Sequence, residues 1–314
     1  MTKRPLILGL GAVCKDWVSI VGHFPTPDEK IDAMSESYFP GGVTANYVTA
    51  VARLGAPCAF IGAVGDDDAG EYLLDDMKRE GIFTNYCLQK PGQRTGVNFI
   101  LVNKEDGQKM IIQSPHFTNT RLEPDDLRKE WFSGANLLHT TAIHHDLTLK
   151  AIEYAKENGL RISLDLESQI AIRGIEKLRP ILENVDILLP NKMGAMQLTN
   201  TNTPMDAAKI FNKMGIETVV ITLGSDGAMA IKDEEIIKAP AYKIEAVDAT
   251  GAGDTFCGAF SFASEIKNWG LQRCLSFANA AAALKMRKLG ARTGMPTYEE
   301  VIDFLKKRDH NNFK

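Results

Sequence analysis

The sequence of 314 residues is poor in cysteine, and it lacks long apolar runs and clusters of positive charge. Its five cysteines are dispersed and include no Cys-x-x-Cys pair, which is typical of structural thiols in a reducing compartment. No apolar run approaches a length of about 18 residues, the least that a membrane span needs. The run that follows Met1–Pro5 is too short for a secretory signal. We therefore expect a cytoplasmic protein.

The balance of charge and the missing motifs exclude several classes of protein. The 36 basic and 40 acidic residues give a net charge of −4. No basic run is interleaved with aromatic residues, which excludes a general nucleic-acid binder. The sequence has no Gly-x-x-x-x-Gly-Lys-Ser/Thr loop, no protein-kinase signature and no Gly-x-Ser-x-Gly motif. It is therefore not a P-loop NTPase or a protein kinase, and it has no nucleophilic serine of the hydrolase type.

Short apolar runs alternate with helical stretches along most of the chain. The run Leu6–Leu10, which ends at Gly11, is typical of a central strand buried on both faces. Comparable strands and helices follow one another between residues 58 and 81 and again between residues 136 and 223. Such alternation predicts parallel strands with helices on both faces, which is an α/β fold.

Two segments interrupt this alternation. Residues 17–21 and 31–39 are β-prone and are separated by a Pro-rich turn without a helix, and residues 95–113 read as a hairpin. We expect these segments to form a small antiparallel β lid, from about 16–40 and 95–114, on one domain that spans residues 1–314. No internal repeat or long linker argues for a second domain.

The stretch from Asp248 to Phe260 carries the strongest chemical signal. Residues 251–253 have almost no side chains and lead into an apolar helix, so free backbone N–H groups and the helix dipole create an anion site. Asp254 stands at the same helix mouth. Backbone donors for a phosphate beside one carboxylate suit phosphoryl transfer, with the carboxylate as the base. The alternative is a helix N-cap aspartate after a Gly-rich turn.

Two other groups of residues have plainer interpretations. Asp66, Asp67 and Asp68 suggest a metal site, but consecutive side chains on a helix point apart, so a helix cap is favoured. His139 and the His144–His145 pair lack the rest of a metal-ligand set, so packing or surface roles are favoured.

Four stretches, in order and at matching separations, together resemble the ribokinase-like (PfkB) carbohydrate kinase family. They are Gly41–Asn46 with Arg53–Ala56, Gly62–Gly70, Thr222–Ala228 and Asp248–Asp254. The resemblance implies a ribokinase-like three-layer α/β/α fold with a mostly parallel central sheet and a β lid. It also implies ATP and Mg²⁺ as cofactors, K⁺ as a further cofactor, and a homodimer formed through the lid.

The resemblance assigns roles to individual residues. Asp254 is expected to be the base, and Gly251, Ala252 and Gly253 the anion hole for the transferred phosphoryl group. The expected sugar-binding residues are Asp16, Gly41, Gly42 and Asn46. The expected nucleotide-binding residues are Asn191, Thr222, Gly224, Gly227 and Asn279. The expected K⁺ site consists of Asp248 and Thr250 with backbone carbonyl groups near Lys288, Gly290 and Gly294.

One departure from the family pattern concerns magnesium. The family commonly has Asn-x-x-Glu after the strand that ends at Leu189, whereas this sequence has Asn191 followed by Gly194. Magnesium placement would then depend on Asn191, on Asp165 or Glu167, and on the phosphate groups, since Mg²⁺ keeps several waters. The ketohexokinase and sulfofructose kinase branches resemble the chain here and in residues 55–60 and 284–296, which favours a ketose.

We therefore expect ATP-dependent phosphorylation of a primary hydroxyl group of a small sugar. A nucleoside kinase on the same fold is an alternative, because a ribose ring presents the same hydroxyl group. A catalytically silent sugar-binding homologue is another. The sequence leaves the identity of the sugar open.

Overall fold

The computed structural model describes Arg4 and residues 6–308. The remaining residues, which include all of Met1–Pro5 except Arg4, lie outside the described residues. The strands are β1 (Ile7–Leu10), β2 (Cys14–Val21), β3 (Ser35–Gly41), β4 (Cys58–Gly65), β5 (Cys87–Lys90), β6 (Val97–Asn103), β7 (Lys109–Ile112), β8 (Leu137–Thr140), β9 (Arg161–Leu166), β10 (Ile187–Pro190), β11 (Thr218–Thr222), β12 (Ala228–Lys232) and β13 (Glu235–Ala239).

The helices begin and end close to turn and capping residues. They are α1 (Val43–Arg53), α2 (Asp68–Arg79), α3 (His116–Asn119), α4 (His145–Glu157), α5 (Ser168–Ala171), α6 (Ile175–Leu182), α7 (Lys192–Thr199), α8 (Pro204–Lys213), α9 (Ala252–Ser261), α10 (Leu271–Lys285) and α11 (Tyr298–Lys306). Within the described ranges, every helix falls short of the length and apolarity that a bilayer crossing needs.

Nine strands form the main sheet in the order β13-β12-β11-β10-β9-β8-β1-β4-β5. The strands from β11 to β5 pair in parallel, and only β12 and β13 at one edge are antiparallel. All four residues of β1 and all eight of β4 are buried, as expected where helices cover both faces. The predicted α/β fold with a mostly parallel sheet is confirmed.

Two apolar cores lie on opposite faces of this sheet. Side chains from α1, α2, α9, α10 and α11 form one core, and side chains from α4, α5, α6, α7 and α8 form the other. This is the three-layer α/β/α arrangement that the resemblance implies.

The lid is a second sheet with the order β3-β2-β6-β7. The pairs β2–β3 and β6–β7 are antiparallel as predicted, but β2 and β6 pair in parallel. The expectation of a purely antiparallel lid is therefore wrong. The reason is that β2 follows β1 and β6 follows β5. Because β1 and β5 are parallel strands of the main sheet, β2 and β6 both leave the carboxyl ends of those strands in the same direction.

Several element boundaries differ from the sequence-based expectations. Strand β5 and helices α7 and α11 were not predicted. The sequence pattern predicts a helix near residues 172–182, but α6 begins only at Ile175, after Gly174, which has a φ of 84°. The short helix α5 precedes it. The Ala-rich sequence predicts a long helix from Leu271 to Leu289, whereas α10 ends at Lys285. Its last turn is diverted because the carbonyl group of Met286 accepts hydrogen bonds from the amides of Val247 and Asp248.

The close packing of α1 against α9 determines the position of the site. At Gly258 in α9, an added Cβ atom would lie 2.8 Å from the Cβ of Ala50 and 2.9 Å from the carbonyl oxygen of Tyr47. This contact between the helices brings the first turn of α9 against α1. Asn46 of α1 therefore reaches Asp254 of α9.

Replacing Gly258 with Ala should destabilise the protein by about 1–3 kcal/mol, because the added methyl group overpacks this contact. The direction of this change in the free energy of unfolding is informative, because replacing Gly with Ala inside a helix otherwise stabilises a protein by roughly 0.5–1 kcal/mol. Urea unfolding measures the change. Gly22→Ala is the control, because nothing lies within 4 Å of its added Cβ. A Gly258→Ala variant as stable as the wild type would contradict the described packing.

Candidate active site

The turn before α9 has the backbone conformation that an anion site requires. Gly251 is the N-cap residue of α9 and has a φ of 77°, in the left-handed region that favours glycine. A Cβ atom at this position would lie 2.5 Å from the carbonyl oxygen of Ala291. The turn is therefore restricted to glycine by its conformation and by the neighbouring loop.

The amide groups at the mouth of α9 are mostly open. The Ala252 amide donates to the carbonyl of Ala249 at 3.1 Å, so it is partly engaged in the turn. Within the described part of the chain, the amides of Gly251, Gly253 and Asp254 have no hydrogen-bond acceptor. Open amides at a helix N-terminus, where the dipole is positive, attract an anion.

Asp254 lies in the first turn of α9 and is held by Asn46. The Nδ2 atom of Asn46 donates to Oδ2 of Asp254 at 2.7 Å. Burial raises the pKa of Asp254 to about 7, and the negative charge of Glu167 adds to the rise, while the Asn46 hydrogen bond opposes it. A carboxylate with a pKa near the working pH is well matched to a general base.

A buried arginine connects this pair with the rest of the site. Arg292 is only 3% exposed. Its Nε donates to Oδ1 of Asn46 at 2.8 Å, and its Nη2 donates to the carbonyl of Gly41 at 2.8 Å. Its Nη1 donates to Oδ2 of Asp76 at 2.7 Å. The sequence analysis missed Arg292, because a single arginine in a Gly-rich loop has no characteristic spacing.

The expected sugar-binding residues lie together between the main sheet and the lid. Asp16 is on β2, and an added Cβ at Gly41 would lie 2.3 Å from its Oδ2 atom. Burial raises the pKa of Asp16. Asn98 of β6 donates from Nδ2 to Oδ1 of Asp16 at 3.0 Å. Asn98 was also missed, although it is a polar residue within an apolar predicted strand.

Gly42 lies next to these sugar-site residues. It is the N-cap residue of α1, and a Cβ there would lie 2.6 Å from the carbonyl oxygen of Ala12. The chain from Gly41 to Asn46 thus passes closely between the loop after β1 and the Arg292 side chain. The structure brings Asp16, the two glycines, Asn46 and Asp254 into one site.

A groove of about 590 Å³ leads to the mouth of α9. The expected nucleotide-binding residues Thr222, Gly224, Gly227 and Asn279 line it together with Ala252 and Gly253. The Nδ2 atom of Asn279 donates to the carbonyl groups of Ala239 and Pro240, at 3.0 and 3.2 Å. This side chain therefore fixes the wall of the groove after β13.

Asn191 forms an isolated bridge with Thr222 at one end of this groove. Its Oδ1 atom caps α7 by accepting from the amide of Gly194 at 2.7 Å. A Cβ at Gly194 would lie 2.8 Å from the carbonyl oxygen of Leu166. In this structure, the glutamate that the family commonly has at this position would clash with the end of β9.

Two more acidic side chains face the same region. Burial raises the pKa of Asp165 well above its usual range, and the charges of Glu167 and Asp254 raise it further. The three carboxyl groups are thus close enough to influence one another. Among the described residues, however, no group of three or more His, Cys, Asp or Glu side chains is arranged to hold a metal ion by itself.

The expected K⁺ ligands are engaged with lysines. Oδ1 of Asp248 accepts from Nζ of Lys109 at 2.8 Å, and the hydroxyl of Thr250 accepts from the same ammonium at 2.6 Å. The carbonyl of Asp248 accepts from Nζ of Lys285 at 2.8 Å. Oδ2 of Asp248 accepts from the amide of Gly290 at 2.9 Å. Although burial acts to raise it, the hydrogen bonds that its carboxylate accepts from Lys109, Thr250 and Gly290 hold the pKa of Asp248 well below its usual range.

The other expected members of this K⁺ site, Lys288 and Gly294, lie in the same loop as Gly290. A Cβ at Gly294 would lie 2.2 Å from the carbonyl oxygen of Lys285. The amide of Lys288 donates to that same carbonyl group at 3.4 Å. The loop is therefore packed tightly against the end of α10.

The plainer interpretations of the other motifs are confirmed. Asp67 is the N-cap of α2 and accepts from the amide of Gly70 at 3.0 Å. His139 is fully buried and stacks on the ring of Tyr47. His144 is the N-cap residue of α4, and His145 is its first residue.

Comparisons with known proteins agree with this geometry. The family model described as pfkB family carbohydrate kinase matches residues 5–298. A ribokinase from Haemophilus influenzae is 30% identical over 313 residues, covering 96% of this chain and 99% of that protein. An aminoimidazole riboside kinase from Salmonella typhimurium is 31% identical over 297 residues, covering 88% of this chain and 93% of that protein. The structure of a ribokinase from Arabidopsis thaliana complexed with ribose and ATP has a TM-score of 0.83 at 26% identity, covering 97% and 99%.

Replacing Arg292 with Met should destabilise the protein by about 3–5 kcal/mol, because it leaves the carboxylate of Asp76 without its buried partner. Arg79→Met is the matched control, since Arg79 contacts the same aspartate at 3.7 Å with a side chain that is 68% exposed. Its loss should cost less than about 1 kcal/mol. Denaturant midpoints measure both effects, and equal stabilities of the two variants would contradict the role of Arg292.

Proposed function

The chain belongs to the PfkB carbohydrate kinase family, and we propose that it transfers the γ-phosphoryl group of ATP to a primary hydroxyl group of a small sugar. The observation that carries this proposal is the position of Asp254. Its carboxylate meets Asn46 beside open amides, where the nucleotide groove ends. One site therefore combines a base with donors for a migrating phosphoryl group.

Asp254 is the proposed general base. As the sugar oxygen forms its bond to the γ-phosphorus, the hydroxyl proton passes to the Asp254 carboxylate and the bond to ADP breaks. The open amides of Gly251, Gly253 and Asp254 stabilise the negative charge of the transferred group. Asn46, oriented by Arg292, holds the carboxylate toward the site.

The sugar is proposed to lie under the lid against Asp16, Gly42 and Asn46. A carboxylate and amide groups are apt partners for hydroxyl groups, and Asn98 adds a further amide beside Asp16. A ketose is the favoured sugar on the sequence resemblance. A nucleoside is the second candidate, because the relative from Salmonella typhimurium is named a riboside kinase.

ATP with Mg²⁺ is the proposed phosphoryl donor. The groove of about 590 Å³ runs from Gly224 and Asn279 to Gly253, and the Arabidopsis thaliana relative is described with bound ATP. Mg²⁺ would be held mainly by the phosphate oxygens and water, with Asp165, Glu167 and Asn191 nearby, and it would neutralise charge on the phosphates. The residues do not fit K⁺, because its expected ligands already accept hydrogen bonds from lysines. We assign no step to K⁺.

A homodimer formed through the lid is also proposed. Half of the large hydrophobic side chains that are exposed in the described residues belong to the lid or adjoin it. They are Met34, Tyr38, Met110, Ile111 and Ile112. A second copy of the chain would cover this apolar surface. Light scattering should give twice the mass of the 34.5 kDa chain, and a monomer would contradict the proposal.

A cytoplasmic location stays a prediction. The five cysteines are free in the structure, which suits a reducing compartment that supplies ATP.

The Asp254→Asn variant should lower turnover by roughly 10²–10⁴-fold, the usual contribution of a general base, with sugar affinity nearly unchanged. Turnover is measured as ADP release with a panel of ketoses, aldoses and nucleosides. Calorimetric titration of the sugar gives the affinity. Turnover like that of the wild type in this variant would contradict the role of Asp254.

The same panel distinguishes the alternatives. Phosphorylation of nucleosides in preference to free sugars would favour the nucleoside kinase. Sugar-dependent thermal stabilisation without any phosphate transfer would favour a silent homologue.

A further inference from the structure

Lys109 connects the lid with the turn that precedes the anion site. It is the first residue of β7, directly after the turn of the lid hairpin, and it pairs with Val102 of β6. Its ammonium group contacts Oδ1 of Asp248 at 2.8 Å and the hydroxyl oxygen of Thr250 at 2.6 Å. These two residues are separated by 139 and 141 positions from Lys109 in the chain. A charge from the lid therefore lies on the turn that leads into Gly251.

A second ammonium group contacts the same aspartate. Lys285, at the end of α10, is fully buried, and its Nζ donates to the carbonyl of Asp248 at 2.8 Å. Asp248 thus has one lysine at its carboxylate and another at its carbonyl group. Adding K⁺ here would bring a third positive charge to ligands that are already engaged.

We infer that Lys109 replaces the monovalent cation, so that the ammonium of the closed lid orders the anion-hole turn and the kinase works without K⁺. This inference rests on the proposed function, in which that turn holds the transferred phosphoryl group. Lys109 is a positioning residue, because it acts through Asp248 and Thr250.

The hydrogen bonds of the turn explain how the charge is transmitted. Oδ1 of Asp248, which accepts from Lys109, also accepts from the amide and the hydroxyl of Thr250, at 3.0 and 2.7 Å. Gly251 follows directly, and the hydroxyl of Thr255 donates to its carbonyl at 2.7 Å. Fixing Asp248 therefore fixes the backbone that presents the open amides.

The lid also rests on the neighbouring loop, which makes the arrangement dependent on closure. A Cβ at Gly290 would lie 2.8 Å from the ring of Phe39 in β3. A small cavity is lined both by the sugar-site residue Asp16 and by Lys109 and Asp248. Because the lid carries both Asp16 and Lys109, we expect sugar binding under the lid and ordering of the anion-hole turn to be coupled.

The test compares the turnover of the wild type with that of Lys109→Met in choline, potassium or ammonium chloride. Each salt is used at about 100 mM, so that the ionic strength is constant. We expect wild-type turnover to be the same within about twofold in all three salts, because the ammonium is built in. Lys109→Met should lose roughly 10–100-fold in turnover in choline, as for residues that orient a site. Potassium or ammonium ions should restore part of that loss.

Lys104→Met is the matched control, because it removes an exposed lysine from the same hairpin turn. It should behave like the wild type in each salt. Stimulation of the wild type by K⁺ of tenfold or more over choline would overturn the inference. Unaltered turnover of Lys109→Met in choline would overturn it as well.

A melting-temperature measurement separates this inference from the proposed function. Potassium chloride, compared with choline chloride, should raise the melting temperature of Lys109→Met but not that of the wild type or of Lys104→Met. This measurement needs no substrate, so it tests the role of Lys109 even if no sugar or nucleoside is phosphorylated. In that case the proposed function would be wrong, and the inference about Lys109 would still be tested. A K⁺-dependent rise in the wild type, or none in Lys109→Met, would contradict the inference.

Discussion

The structure depends on holding one carboxylate in a place where its charge is costly. Asp254 is partly buried at the mouth of α9, and burial raises its pKa to about 7. The Asn46 hydrogen bond at 2.7 Å opposes that rise and fixes the carboxylate. Arg292 in turn fixes Asn46 through its other amide atom. Burial and this hydrogen bond together give a carboxylate that ionises near neutral pH and has a fixed orientation. A general base requires both properties.

The parts of the molecule converge on this carboxylate from different directions. The main sheet presents the groove for the nucleotide, and Arg292 joins Gly41 at the end of β3 with Asn46 of α1. The lid contributes Asp16 on one side and Lys109 on the other. The turn between Asp248 and Asp254 is the place at which all of them meet. Phosphoryl transfer needs little covalent chemistry from the protein, so this positioning is most of what the fold provides.

The sequence predicted those features that local patterns determine. Buried runs such as Leu6–Leu10 and the alternation after residue 136 were sufficient for the parallel sheet, and small residues at 251–253 for the open turn. The contacts of Arg292, Asn98 and Lys109 could not be predicted from the sequence, because their partners are distant in the chain. Arg292 and Asn46 are 246 positions apart. Gly194 is visible in the sequence as a departure, but the approach of the Leu166 carbonyl to it depends on tertiary structure.

The most direct test of the account is a titration of the Asp254 carboxyl carbon by ¹³C NMR, with the signal assigned by its absence in Asp254→Asn. The account predicts a midpoint near pH 7 in the wild type without ligands. Since the charge of Glu167 raises this pKa, the midpoint should be lower in Glu167→Gln. A midpoint near the ordinary value of about 4, unaffected by that substitution, would contradict the enclosed position of the carboxylate and with it the proposed base.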